Sequence, residues 1–480
     1  MIDQILNQGL QLVIQIFLAR IIGPAESGLL ALTTIFLVLS ALVVTGGFPT
    51  ALIQTDRVSR EDISTVFVIN VAIAIAVTIG LFFSAPLIAS FFNEPRLTLI
   101  VRVVSISLIV SAFGQVHSAM LVKNLEFKKL FWISTPAIVI SGCIGLTTAI
   151  MGYGVWALVW QRLSGGLVRT TMFWAMSSNA LRPVVSRFSL RSAKRLGAYG
   201  ISILGASIMY QGLQNIYGLM IGKMYLPADL GCYNRANSFQ RTPVKGLNSI
   251  LSRVLFPVLS SIQDDDPRIV RSLRMGMPVL AFIVTPMMAL LMVTGEPLVL
   301  TLLTEEWLPT AQFLTLLPIL GVIYSISAIH VAVWKAKGHS KLFFWVTTAK
   351  QGLALIILLL TIRHGVYCIV IGQVVHGLIG LAINVFLTSR VTSYAIRSQL
   401  QDVLPYFSAA AITGFITIVI VASATTPAPV TLIISVVVYS LIYLTICWLC
   451  GLQAINDTLS RIKGMLGKAP STLATKSEAN

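Results

Sequence analysis

The chain has 480 residues, of which 56% are hydrophobic and only 11% charged; its net charge is +17 and its mean hydropathy +0.87. A soluble domain carries roughly twice that share of charge, and no nucleic-acid partner is needed to explain the basic excess. A transmembrane β-barrel is excluded, because its strands alternate polar and apolar residues over about ten positions, whereas the apolar runs here extend for about twenty, enough to cross ~30 Å of hydrocarbon.

In chain order the apolar periodicity predicts fourteen helices: 3–22, 29–54, 65–91, 97–120, 130–150, 154–176, 198–222, 232–261, 275–295, 310–334, 342–362, 365–388, 404–422 and 429–450. No cleavable signal peptide is expected at the N-terminus, which lacks a basic leader and a small-residue cleavage site. The stretch Phe188–Tyr199 mixes apolar and basic residues as an interfacial helix does. Residues 451–480 read as a short amphipathic piece followed by a disordered polar tail. Cys447 and Cys450 form a C-x-x-C inside an apolar helix with no second pair, so they read as packed thiols rather than a metal or redox site. Twenty-two Lys and Arg lie in the connectors and tail of the side holding Arg57, Lys123, Arg191, Arg268, Lys337 and Arg390, against three on the other, Arg96, Lys223 and Arg363. The positive-inside rule then puts both termini in the cytoplasm.

The first twelve helices repeat. Ile21–Gly28 returns as Met224–Gly231, Lys129–Phe131 as Lys341–Phe343, and Tyr153–Val159 as His364–Val370, at offsets of 203, 212 and 211. Six helices per half give both halves the same topology, with a pseudo-twofold axis along the membrane normal, and a binding site between them is the transporter pattern. The expected divisions are an N-lobe (1–196), a C-lobe (197–400), two accessory helices (401–450) and a tail (451–480).

Polar residues inside apolar helices must face a partner or water. The first helix carries Gln4, Gln8, Gln11 and Gln15 on one face, and its repeat-mate carries Gln211, Gln214 and Asn215. Hydrogen bonding between helices is the bland alternative; the stripe in both halves reads as the wall of a wet cavity. The eighth helix holds Arg235, Arg241, Lys245 and Arg253 within an arc of about 120°, with Pro243 expected to kink it. Arg235 and Arg253 lie near its ends, where a long side chain can snorkel; Arg241 and Lys245 are deeper. Arg162 and Lys350 sit near mid-membrane, and Arg169 lies a heptad below Arg162. His117, His330 and His376 read as packed hydrogen-bonding groups. All seventeen Asp and Glu fall in loops, tails or helix ends. Buried cations without buried carboxylates call for an anion from elsewhere, and a phosphate or diphosphate fits Arg forks and Lys point charges.

Several stretches carry a resemblance: ALIQ (51–54), DISTVF (62–67), GVWALV (154–159), FSLRSAKRLGAYG (188–200), LGCYNRAN (230–237), SRVLFPVLSSIQDD (252–265) and EPLVLTLLTEEWLP (296–309). With these the chain resembles the polysaccharide-transporter family of Wzx-type lipid-linked oligosaccharide flippases, especially its colanic-acid-exporter branch, within the MOP superfamily. The resemblance implies an all-α polytopic MATE-like fold with 14 transmembrane helices, arranged as two parallel six-helix lobes and two C-terminal helices. It also implies export of an undecaprenyl-diphosphate-linked repeat unit across the bacterial inner membrane by alternating access, with a polymerase and chain-length regulator as partners of a monomer.

Under that reading Arg162, Arg241, Lys245 and Lys350 contact the diphosphate, with Arg235 and Arg253 flanking. Gln8, Gln11, Gln15, Gln211, Gln214 and Asn215 line the sugar path. No cofactor or metal is expected, nor any enzymatic activity, and no G-x-x-x-x-G-K-[ST] loop is present. The rival transporter, a MATE-type multidrug or cation antiporter, calls for a buried carboxylate. A polysaccharide polymerase or ligase calls for a long outer loop, and a non-transporting membrane scaffold is the third alternative.

Overall fold

The computed structural model describes residues 2–177, 188–422 and 426–451; Arg182, Arg187, the tail at 452–480 and certain helix side chains, those of Gln4 and Arg253 included, lie outside the described residues. Apolar residues in lipid leave the backbone no water to bond, so its polar groups must pair within the segment. The described chain accordingly runs through helices α1 (Ile2–Thr45), α2 (Phe48–Gln54), α3 (Arg60–Phe92), α4 (Leu97–Lys123), α5 (Phe127–Ile150), α6 (Val155–Met176), α7 (Leu190–Met224) and α8 (Pro227–Ser261). It continues through α9 (Asp266–Val293), α10 (Gly295–Leu302), a 3-10 turn (Glu305–Trp307), α11 (Pro309–Leu314), α12 (Leu317–Ala336), α13 (Ser340–Thr361), α14 (Val366–Val391), α15 (Ile396–Ala422) and α16 (Ala428–Leu449).

Among the described residues ten helical stretches are long and apolar enough to cross a membrane, counting α1 once and α11–α12 as one. Fourteen crossings are therefore not reached on length and apolarity alone. The first two predicted helices are one helix with a kink, because Gly23 takes φ 79°, ψ 171° and the helix resumes at Pro24, whose fixed φ suits a first turn. The second predicted helix stops at Thr45, where Gly46 and Gly47 at positive φ turn the chain into α2. The predicted interfacial stretch is the beginning of α7, and α8 runs continuously through Pro243 and Pro257. The helices α6, α7 and α8, which carry Arg162 and Arg169, Gln211, Gln214 and Asn215, and Arg241 and Lys245, fall outside the ten.

The chain divides into two compact units. One comprises residues 1–235 with 302–309 and 362–366; the other comprises 236–301, 310–361 and the chain from 367 onward. In the first unit, α5 offers glycines to its neighbours: Gly142 receives Ile14 of α1, and Gly145 receives Leu18 of α1 and Gln161 of α6. Phe48, Leu52, Ile63, Val66, Val116 and Leu196 form a core that joins α2, α3, α4 and α7. The two copies of the repeated proline-glycine motif also meet in this unit. A Cβ at Gly28 would stand 1.7 Å from the Pro227 carbonyl oxygen, and one at Gly231 would stand 2.1 Å from that of Pro24. Neither position admits a side chain unless the backbone moves.

The second unit packs α9 against α12 and α15. Its core holds Leu273, Met277, Leu280, Val284, Ile326, Val333 and Trp334, all at most about a twentieth exposed. A smaller cluster of Ala409, Ala410, Tyr439, Tyr443 and Cys447 fastens α16 to α15.

Candidate substrate-contacting polar residues

In the first unit, α1 presents two opposed exposed faces. Gln8 and Gln11 are exposed and Gln15 half-buried along one side, while Leu6, Val13 and Phe17 are exposed on the other, roughly 180° around the helix. Between those faces Ile14 and Leu18 pack into α5. A helix in lipid cannot afford an exposed amide row on the same footing as an exposed leucine row, so the two faces meet different surroundings. On α7, Gln211, Gln214 and Asn215 are half-buried, and Asn215 donates its amide back to the Gln211 carbonyl at 2.8 Å.

Helix α6 repeats the arrangement with charge. Arg162 and Arg169 are exposed on one face; Trp160 and Leu167 are exposed roughly 150° away. The helix packs on α4 through Phe173 against Gly114 and through a 2.9 Å bond from the Thr170 hydroxyl to the Val110 carbonyl. It packs on α5 through Gly165 against Ser141. The two arginines project from the sector between these contacts. Among the described residues neither forms an ion pair or hydrogen bond. Facing lipid, each would cost about 2.5–3.5 kcal/mol. On the apolar side of α6 an open groove of about 450 Å³ runs against α4, walled by Phe113, Leu167 and Trp174.

Arg235 stacks its guanidinium over the indole of Trp307 at 5.2 Å, and the fully buried Trp307 donates to the Ala19 carbonyl at 2.9 Å. Two of the stretches that carry the resemblance thus meet in one contact. The buried Nε of Arg235 has no hydrogen-bond partner among the described residues.

In the second unit Lys245 is exposed and Arg241 half-buried, one turn apart on α8. Lys350 of α13 is half-buried and donates from Nζ to Asn384 Oδ1 of α14. Its ammonium lies 5.9 Å from the Trp334 ring. Lys350 therefore sits among polar groups from two other helices. Arg253 lies outside the described residues.

Two functional candidates escape the sequence argument. Gln240, beside Arg241, is fully buried, and both its amide atoms lack hydrogen-bond partners among the described residues, at a cost of about 1–3 kcal/mol. Asn384 is the second. It belongs to a row, His376, Gly380, Asn384 and Thr388, spaced every four residues on α14. That spacing marks one helix face and is the signal from which the row could have been found.

Away from the apolar faces, carboxylates hold the connectors together. Glu26 at the α1 kink accepts both Arg96 guanidinium nitrogens at 2.8 Å and the Val155 N–H at 2.9 Å. Its hydrogen bond raises the Arg96 pKa further. Tyr394 donates to Asp402 at 2.6 Å; burial and that carboxylate push its hydroxyl pKa up.

A kinked, internally repeated helical bundle with charged and amide faces inside apolar helices defines a multi-pass membrane protein of the transporter class. The chain belongs to the polysaccharide biosynthesis protein family, which it matches over residues 17–312. It is similar to the lipopolysaccharide biosynthesis protein WzxC of Escherichia coli (strain K12), 27% identical over 80% of this chain and 76% of that one. It is also similar to the succinoglycan biosynthesis transport protein ExoT of Rhizobium meliloti (strain 1021), 27% identical over 70% of this chain and 68% of that one. Among solved structures it shares its fold with the lipid II flippase MurJ in an inward closed conformation, with a TM-score of 0.73 at 15% identity over 93% of this chain and 97% of that one. An inward-facing multidrug resistance MATE family transporter of the MOP superfamily matches with a TM-score of 0.58 at 15% identity, over 80% of this chain and 95% of that one. The MATE-like fold expected from the resemblance is the fold found.

Proposed function

We propose that the protein is a flippase, not an enzyme, and that it moves an undecaprenyl-diphosphate-linked oligosaccharide repeat unit across the bacterial inner membrane for exopolysaccharide or lipopolysaccharide assembly. The observation that carries this reading is the pair of arginines on α6, exposed within an apolar helix, turned from its lipid-compatible face and, among the described residues, free of carboxylate partners. An anionic diphosphate compensates such charges, whereas a cationic drug would meet repulsion. The relatives named for polysaccharide and succinoglycan biosynthesis support the substrate class.

In this reading Arg162, Arg241, Lys245 and Lys350 contact the diphosphate, with Arg235 and Arg253 flanking. The amide rows of α1 and α7 line the path of the sugars. The chain crosses fourteen times, twice in α1 around Gly23 and once each in α6, α7 and α8. Its lobes are 1–196 and 197–400, both termini are cytoplasmic, and it works as a monomer by alternating access beside a polymerase and chain-length regulator. Reversing charge by Arg241→Glu or Lys245→Glu, or removing it by Arg162→Met, is expected to abolish surface glycan while the protein still inserts and accumulates. Normal surface polysaccharide in all three variants would overturn the reading.

A further inference from the structure

Lys350 is aimed by its surroundings without being neutralised. Its stem passes Gly380, where a Cβ would stand 3.7 and 3.8 Å from Cδ and Cε. One turn on, Asn384, only 2% exposed, presents Oδ1 to the ammonium. One turn further, the Thr388 hydroxyl receives the Trp334 indole N–H at 3.0 Å and contacts His330 Nδ1 at 3.0 Å, which fixes the ring beside the ammonium. At the other end of the row His376 donates from Nε2 to the Lys350 carbonyl at 3.0 Å, tying down the backbone. Among the described residues Lys350 meets an amide oxygen, an indole face and, at its backbone carbonyl, His376, and no carboxylate.

The ammonium has three donors and spends one on Asn384. An amide oxygen fixes direction and leaves the unit charge uncompensated, whereas a carboxylate in the same place would cancel it. The indole face favours a cation without supplying an ion.

We propose that Asn384 is a specificity-determining residue of the headgroup site. Its uncharged oxygen orients the Lys350 ammonium and keeps the charge available, so the site selects an anionic, phosphate-bearing headgroup over a neutral one. The proposal rests on the reading of Lys350 as a diphosphate contact. Specificity of this kind is a difference of two affinities, so the test measures both.

The full chain is purified in nanodiscs and titrated with farnesyl diphosphate and, separately, with farnesol, the same isoprenoid without its charge. Asn384→Asp is expected to weaken farnesyl diphosphate binding at least tenfold and leave farnesol unchanged. Asn384→Ser, which keeps a neutral oxygen, is expected to stay within threefold of the parent for both. Asn384→Leu, which adds no charge but removes the oxygen, is expected to lose threefold to tenfold for the diphosphate alone, and it serves if Asn384→Asp does not fold. Diphosphate affinity that is unchanged in Asn384→Asp or Asn384→Leu, or equally poor in Asn384→Ser and Asn384→Asp, would overturn the role of Asn384. Lys350→Met separates the two levels. Parent protein that ignores the diphosphate, or a Lys350→Met variant that binds it normally, overturns the headgroup reading itself and this inference with it.

Discussion

The two sequence halves solve the same two fastening problems with different side chains. At the end that bears the α1 kink, each half must tie the turn after its first helix to the start of its sixth. The first half uses Glu26, which clamps Arg96 and the Val155 N–H; the second uses Tyr225, whose hydroxyl accepts from the Gly365 N–H at 2.7 Å and donates to the Ile362 carbonyl. Gly154–Val155 and Gly365–Val366 are matching positions of the repeat, so the anchored turn is shared although the N–H held shifts by one residue, and the anchor itself differs. At the opposite end, a carboxylate in the first turn of the third helix of each half holds the segment that leaves the sixth. Asp62 receives Arg195 at 2.6 Å while Thr65 receives the Ser189 N–H at 2.9 Å; Asp266 receives Lys337 and the Ser393 N–H, both at 2.8 Å. The repeat preserves where a clasp is needed, and chemistry within that constraint is open.

The largest effect is expected at the contact both copies share. Gly28→Ala drives a Cβ into the Pro227 carbonyl, and we expect a loss of about 3 kcal/mol, read as thermal unfolding of the purified protein; Gly231→Ala should lose a similar amount against Pro24. If one glycine tolerates alanine and the other does not, the reciprocity is only apparent. Next come the carboxylates of the opposite end. Asp62 is 1% exposed and caps α3 through Ser59, so Asp62→Asn should cost about 2 kcal/mol, while the more open Asp266→Asn should cost about 1 kcal/mol. A reversal of that order would show that burial does not rank the clasps. The smallest effects belong to the kink. Glu26→Gln and Tyr225→Phe should each cost about 1 kcal/mol, and the double variant should show the sum to within about 0.5 kcal/mol; strong coupling would mean one fastening instead of two.

Much of this architecture was legible in the amino acids. The apolar runs and the repeat at 203–212 residues disclose a duplicated helical membrane fold, and Gln8, Gln11 and Gln15 disclose a polar face by spacing alone. What stayed hidden has physical causes. Pro24 after Gly23 reads as a break, yet glycine absorbed the change of direction within a single residue and the helix carried on. The start of α7 reads as a separate interfacial piece, because nothing local reveals that Arg195 will be held by Asp62, 133 positions earlier. Lys350 was visible as a costly cation, but its acceptor on the next helix could be found only by asking which face of α14 was polar at every fourth residue. The glycine-proline reciprocity was written in the repeat itself, and only the backbone distances reveal that the copies touch each other.

That touching of copies bears on assembly. Each motif brings both a recess and the carbonyl that fills one, so a chain with a single motif would already hold both sides of this contact, as an isologous pairing with its twin requires. Joining the twins in one polypeptide fixes their stoichiometry at one to one. It also releases each from having to match itself, so one is clasped by a carboxylate and the other by a phenol drawn from a different position of the motif.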